Sequence, residues 1–172
     1  DDEGISGKTI LVKIAGLSRE VGLDPAECAG YMNDAAHAVE SEDSSSSVAA
    51  ELYNQEGICW YNATPMNVPV LQEERNEKEN ARLEEMFADR ELHAFENALR
   101  VLNKCDPDNE KVIDLMPSLH SNIGECYMRR EDYAHAIKHY HFAVEAFERL
   151  FATDRFKGKD KPATEPYNFQ YG

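Results

Sequence analysis

At 172 residues the chain is long enough to bury a core, as one domain or a small helical array. With 42% hydrophobic and 30% charged residues it has a soluble globular composition, and no apolar run approaches the roughly 20 residues that cross a membrane. A formal net charge of −15 argues against nucleic acid, whose phosphates need a basic stripe, and favours basic protein partners.

Residues 1–7 form a polar lead-in without the pattern of a signal peptide, and from the abrupt start at Asp1 the natural N-terminus is expected to be missing. A helix is expected over 9–21, with Ile10, Leu11, Ile14 and Leu17 apolar and Gly22 as its stop. Asp24-Pro25-Ala26-Glu27 then marks a helix start: an acidic cap, a proline where no donor is lost, and a carboxylate at the positive helix end. That second helix runs to about Glu40, and residues 1–41 form one helix pair. A linker of acids and serines, 42–47, is too polar to pack and is expected to be mobile.

The next unit spans 48–109. It opens with a helix over 48–62 carrying Tyr53, Gly57 and Trp60, followed by a loop over 63–72 in which Pro65 and Pro69 forbid regular helix. A helix over 73–104 follows, roughly 48 Å long at 1.5 Å per residue. Its charged first half (Glu73, Glu74, Arg75, Glu77, Lys78, Glu79) is expected to project past the packing, and its second half turns apolar at Leu92, Phe95, Ala98, Leu99 and Leu102. Asp106-Pro107-Asp108-Asn109 ends it, and residues near 110–116 read as a short insertion before the last helix pair.

The last unit, 110–153, contains the pattern with the most information, from Pro117 to Leu150. Ile123, Gly124 and Tyr127 share one helix face, and Gly124 lets a neighbouring helix approach. Ala136, Tyr140 and Ala143 then follow at i, i+4 and i+7 as a small-large-small stripe. Tyr133 is placed to staple the charged turn 129–132 to the pair. Residues 154–172 form a tail expected to be flexible, with a lysine-rich stretch and the aromatics Tyr167, Phe169 and Tyr171.

Gly124-x-x-Tyr127 and Ala136-x-x-x-Tyr140-x-x-Ala143 together resemble a tetratricopeptide repeat, over about thirty-four residues, with His120 where that family commonly has tryptophan. The resemblance implies an all-α array of antiparallel helix hairpins, with one clear repeat and two degenerate or interrupted ones. Gly57-x-x-Trp60 and Phe95-x-x-Ala98 repeat parts of the pattern. In the first pair, Gly16 precedes Cys28 by twelve residues, as Gly124 precedes Ala136, and Cys28-x-x-x-Met32-x-x-Ala35 repeats the stripe.

Chemistry-bearing constellations are weak. Cys28, Cys59, Cys105 and Cys126 lie far apart on helices and are expected to be buried reduced thiols of a cytoplasmic protein. The sequon Asn62-Ala63-Thr64 reads as chance. His135 and His139 stand four apart, but no third ligand follows in a metal-binding order, so both are expected to be solvated, whereas His120 faces inward. No phosphate loop and no nucleophile elbow occurs. No catalytic residue, metal or cofactor is expected.

What remains is binding. Such arrays present a groove lined by the first helix of each pair. Helical phase from Gly57 and Gly124 places Asn54, Ile58, Tyr61 and Asn62 there from the middle unit, and Ser121, Asn122, Glu125, Met128 and Arg129 from the last; Lys13 and Leu17 join them from the first. The resemblance implies a non-catalytic scaffold or adaptor holding a helix or extended peptide of a partner protein within a hetero-complex, without nucleic acid or membrane. Its alternative is a co-chaperone or targeting receptor that grips a C-terminal carboxylate. Lys13 sits where the first clamp lysine belongs, but Leu17, Gln55, Ser118 and Asn122 stand where the other clamp donors would be, which removes the charge-assisted bonds a carboxylate needs.

Overall fold

Local chemistry decides where each helix begins. The computed structural model describes residues 6–65 and 76–153, and among these there are six helices and no strand. In chain order they are α1 (Gly7–Glu20), α2 (Pro25–Glu42), α3 (Ser47–Asn62), α4 (Glu77–Leu102), α5 (Glu110–Arg129) and α6 (Tyr133–Phe151). The expectations for the lead-in before Ser6, for most of the proline loop, for the charged residues 73–75 and for the aromatic tail lie outside the described residues.

The Asp24 carboxylate accepts from the backbone N–H groups of Ala26 (2.9 Å) and Glu27 (3.3 Å), which starts α2 as expected. Asn76 and Glu79 form a reciprocal capping box on α4. The serine-rich linker contracts to a turn over 43–46, in which Asp43 accepts from the Ser45 N–H at 2.9 Å and the Ser45 hydroxyl at 2.8 Å.

The expected insertion over 110–116 does not exist as a separate segment. Asn109 caps Lys111 N–H at 2.9 Å, and α5 runs from there through Pro117 to Arg129. Pro117 removes the hydrogen bond that Ile113 carbonyl would accept. Buried Val112, Leu119 and Pro117 itself hold the helix together across that gap.

Each helix packs mainly against its neighbours in the chain, and α3 also touches α5. Alanines let α2 and α3 close on each other: Ala29, Ala35, Ala36, Ala49 and Ala50 are all fully buried. Two pairs repeat one contact. A Cβ on Gly57 would overlap the Phe95 ring of α4, at 2.6 Å from Cδ1, and a Cβ on Gly124 would lie 2.9 Å from Tyr140 Cε1 of α6. Gly57 and Gly124 therefore each mark a close approach of the following helix, made by Phe95 and Tyr140 rather than by Trp60 and Tyr127, the aromatics that share their own helices.

The first pair departs from it. Gly16 is exposed with nothing within 4 Å of a Cβ there, while Ala15 and Ser18 carry the contact with α2. The stripe of α1 is thus one residue out of phase with the expected one, because Leu11, Ala15 and Ser18 supply the helical spacing. Ile10, Ile14 and Leu17 are left exposed on α1, with Val21 just past its end, as are Tyr133, Ile137, Val144 and Phe147 on α6. Tyr133 therefore does not staple its turn. The turn is tied instead by Arg130, which donates to Ala88 carbonyl (2.8 Å) and Asp89 (2.9 Å) on α4.

A polar cluster joins α2, α3 and α4. Tyr53, fully buried, donates to Glu40 at 2.9 Å, and the Arg100 guanidinium grips the same carboxylate at 2.5 and 2.9 Å. Arg100 holds the Glu40 carboxyl at about 2, well below the usual range.

Between α5 and α6, His120 and His139 approach at 3.1 Å between Nδ1 atoms, and the His139 ring stacks on Tyr127. His139 is therefore half-buried rather than solvated, while His135 stays exposed and bonds Asp132 at 2.7 Å. Burial, then the neighbouring His139, pushes the His120 imidazole down to about 4. Because the fold favours neutral His120, this group contributes stability above its unfolded value of 6.5 that is lost as the pH falls through about 4. Denaturant melts across that window are expected to fall more steeply for the wild type than for His120→Gln, and parallel curves would rule the effect out.

Candidate functional site

Two open cavities flank α3, one towards α1 and one towards α5. One, of about 540 Å³, lies between α1 and α3 and is lined by Val12, Gly16, Arg19, Val48, Glu51, Leu52 and Gln55 among others. The second, of about 320 Å³, lies between α3 and α5 and is lined by Ser47, Glu51, Gln55, Lys111, Asp114 and Leu115. Glu51 and Gln55 border both, so the two cavities adjoin across the middle helix, and together they make the candidate furrow. Arg19 donates to Gln55 Oε1 at 2.5 Å across the first part. The rim mixes apolar, amide and charged groups of both signs, which suits a peptide's side chains and backbone more than a small ion.

Towards the C-terminal ends of α3 and α5 the furrow narrows to direct contact. Asn122 donates to Asn54 Oδ1 at 3.3 Å, and the Arg129 guanidinium lies 5.2 Å from the centre of the Tyr61 ring. Arg129 is fixed from below: its Nη2 donates at 2.5 Å to Glu91 of α4, whose side chain is 4% exposed. Cys126 donates to the same carboxylate at 3.4 Å, and burial, ahead of Glu91, pushes its thiol up to about 12.

The residues expected in the groove divide on this geometry. Tyr61 and Arg129 meet as a pair, and Tyr61 is exposed to a ligand. Asn54, in contrast, is 4% exposed and occupied by Asn122, and Ile58 packs partly into the core, so both support the furrow from beneath. Asn62 donates back to Ile58 carbonyl (2.8 Å) and Ser121 to Pro117 carbonyl (3.0 Å), each within its own helix. Glu125 is exposed and accepts from Tyr140 at 3.0 Å, so it leans towards α6. Met128 is half-buried, and Lys13 is exposed but does not line the first cavity, which takes Val12 instead.

Glu51, Lys111, Asp114 and Leu115 were not anticipated. The first turns of α5 build their part of the furrow, and a reading that begins this helix at Pro117 omits them. A third cavity, about 400 Å³, lies apart from the furrow, against Leu102, Val112, Ile113, Met116 and Phe142 near the start of α5. Among the described residues no three histidine, cysteine or acidic side chains converge as a metal site. Also among them, no helix is long and apolar enough to cross a membrane.

Comparison with protein-family models, with curated proteins and with solved structures finds no match for this chain.

Proposed function

We propose that the chain is a non-catalytic protein-interaction module, a tetratricopeptide-like helical array that holds a helix or extended segment of a partner protein in the furrow between α1, α3 and α5. The observation that carries this reading is that two cavities flank α3 and share Glu51 and Gln55 in their linings. A segment lying there would meet Val12, Val48, Leu52 and Leu115 with its apolar side chains and the Gln55 amide and Lys111 with its polar groups. The repeated glycine-to-aromatic contact, Gly57 with Phe95 and Gly124 with Tyr140, supports the likeness to that repeat family. The exposed apolar stripes of α1 and α6 support membership of a larger hetero-complex, because each offers a face on which further helices stack. A cytoplasmic location accords with the four free thiols.

The co-chaperone alternative is less well supported. Asn122, at one clamp position, is already bonded to Asn54, and Leu17 projects an apolar side chain at another.

Site-specific photo-crosslinking tests the proposal. A photoreactive side chain at Gln55 is expected to capture the partner in cell extract, whereas one at exposed Asp34 on α2 captures none. Gln55→Arg, which fills the junction of the cavities, is expected to weaken binding of that partner at least about tenfold, or ~1.4 kcal/mol. Equal capture from both positions, or unchanged affinity, would sink the furrow as the binding site. A C-terminal carboxylate clamp would instead show itself by loss of binding when the partner peptide's terminus is amidated.

A further inference from the structure

The contact between α2 and α3 holds two thiols in register. Cys59 Sγ lies 3.2 Å from Cys28 Sγ, closer than two sulfurs at van der Waals separation, and both residues are buried. The hydrogen bonds around them run one way. The Cys59 thiol donates to Cys28 sulfur, the Cys28 thiol is 3.2 Å from the Ser18 hydroxyl oxygen, and that hydroxyl donates to Ala15 carbonyl at 2.7 Å. Ser18 thereby leaves its oxygen lone pairs towards Cys28, so the Cys28 proton points away from Cys59 and the two sulfurs face each other. The other two thiols are engaged elsewhere: Cys105 donates to Ser45 carbonyl at 2.8 Å and Cys126 to Glu91 at 3.4 Å.

We propose that Cys28 and Cys59 are a reversible disulfide site that closes on exposure to a peroxide and covalently staples α2 to α3. The sulfurs need to approach by only about 1.2 Å from their 3.2 Å separation to reach bonding distance. One thiol, deprotonated, attacks a peroxide oxygen; the O–O bond breaks and a sulfenic acid forms. The second sulfur then attacks the sulfenic sulfur, forming the S–S bond and expelling water. In sum two thiols and one hydrogen peroxide give one disulfide and two waters; both sulfurs are oxidised, the peroxide oxygens are reduced, and the thiol protons end on water.

Closure is slow in the native fold. Burial, then the hydrogen bond with Cys28, pushes the Cys59 thiol up to about 12, so the attacking thiolate is scarce at neutral pH. The staple's mechanical consequence reaches the furrow, because Cys59 and the furrow residues Glu51 and Gln55 belong to the same helix, which the bond would fix against α2.

The test uses the full chain, reduced, then incubated with hydrogen peroxide at pH 8, alkylated and mapped without reduction. The expected result is an intact-mass loss of about 2 Da and a linked peptide pair containing Cys28 and Cys59, which dithiothreitol separates. Closing the 28–59 loop is expected to raise the unfolding midpoint by about 5–10 °C, and Cys59→Ala to remove both the linked peptide and the shift. Recovery of Cys28 and Cys59 as free alkylated thiols after Cys105 has oxidised overturns the proposal, as does a dominant linkage of either residue to Cys105 or Cys126. Should Cys59→Ala fail to fold, the wild-type peptide map decides alone.

Discussion

Gly57→Ala is expected to destabilise the protein by about 2–3 kcal/mol, although alanine is the better helix former by up to about 1 kcal/mol. The added methyl would stand 2.6 and 2.7 Å from Cδ1 and Cζ of Phe95, a ring that is itself buried at 2% exposure and has little room to retreat. Gly124→Ala meets Tyr140 at 2.9 Å, but that ring is only half-buried and its hydroxyl end reaches Glu125 at the surface. A loss of about 1 kcal/mol is expected there. Gly16→Ala meets nothing within 4 Å and is expected to stabilise by about 0.5–1 kcal/mol. Urea unfolding of the three variants therefore predicts two signs from one chemical change. Phe95→Leu combined with Gly57→Ala should recover part of the loss in a double-mutant cycle. Three shifts of the same sign and size would mean that helix propensity, not helix approach, governs these positions.

Arg129→Met is expected to cost about 3 kcal/mol at neutral pH. Glu91 is buried within the α4–α5 contact, and Arg129 is its ion-pair partner; without it the carboxylate keeps, among the described residues, the weak Cys126 thiol donor. Removing the charge from both sides, as Arg129→Met with Glu91→Gln, should restore most of the stability, since a desolvated pair adds little over a neutral one. The measurement is the denaturant midpoint of the two single variants and the double. A cost under about 1 kcal/mol for Arg129→Met would place the pair with ordinary surface ion pairs. In the furrow, the same change frees the Tyr61 ring from its cation, so partner affinity reports on the position independently of stability.

Local signals carried the start of α2 and the helix class. Asp24-Pro25 opens α2 because a carboxylate and a missing N–H serve the same orphan donors in any context, and the all-helical content follows from apolar spacing that needs no partner to be read. The approach at Gly124 was also legible, because only glycine tolerates a ring pressed on the helix backbone; which ring presses there, and on Gly57, was not. Phase was not. Gly16 matched the expected spacing but faces open space, since an alanine and a serine on the adjacent stripe could pack α1 against α2 equally well, and only the partner helix chooses between them.

The repeat-like pattern begins at Pro117, so 110–116 reads as an insertion; that α5 crosses the proline depends on buried Val112 and Leu119, whose burial arises from neighbouring helices rather than from the segment itself. The same holds for the furrow. Its helices were set by the sequence pattern, yet which side chains remain available was decided across helices: Asn54 is covered by Asn122, Arg129 is held down by Glu91, and the Glu51–Gln55 junction exists only where α1 and α5 flank α3. Residue periodicity determines what a helix can bury; the contacts between helices, many residues apart in the chain, determine what it does bury, and so what is left to bind.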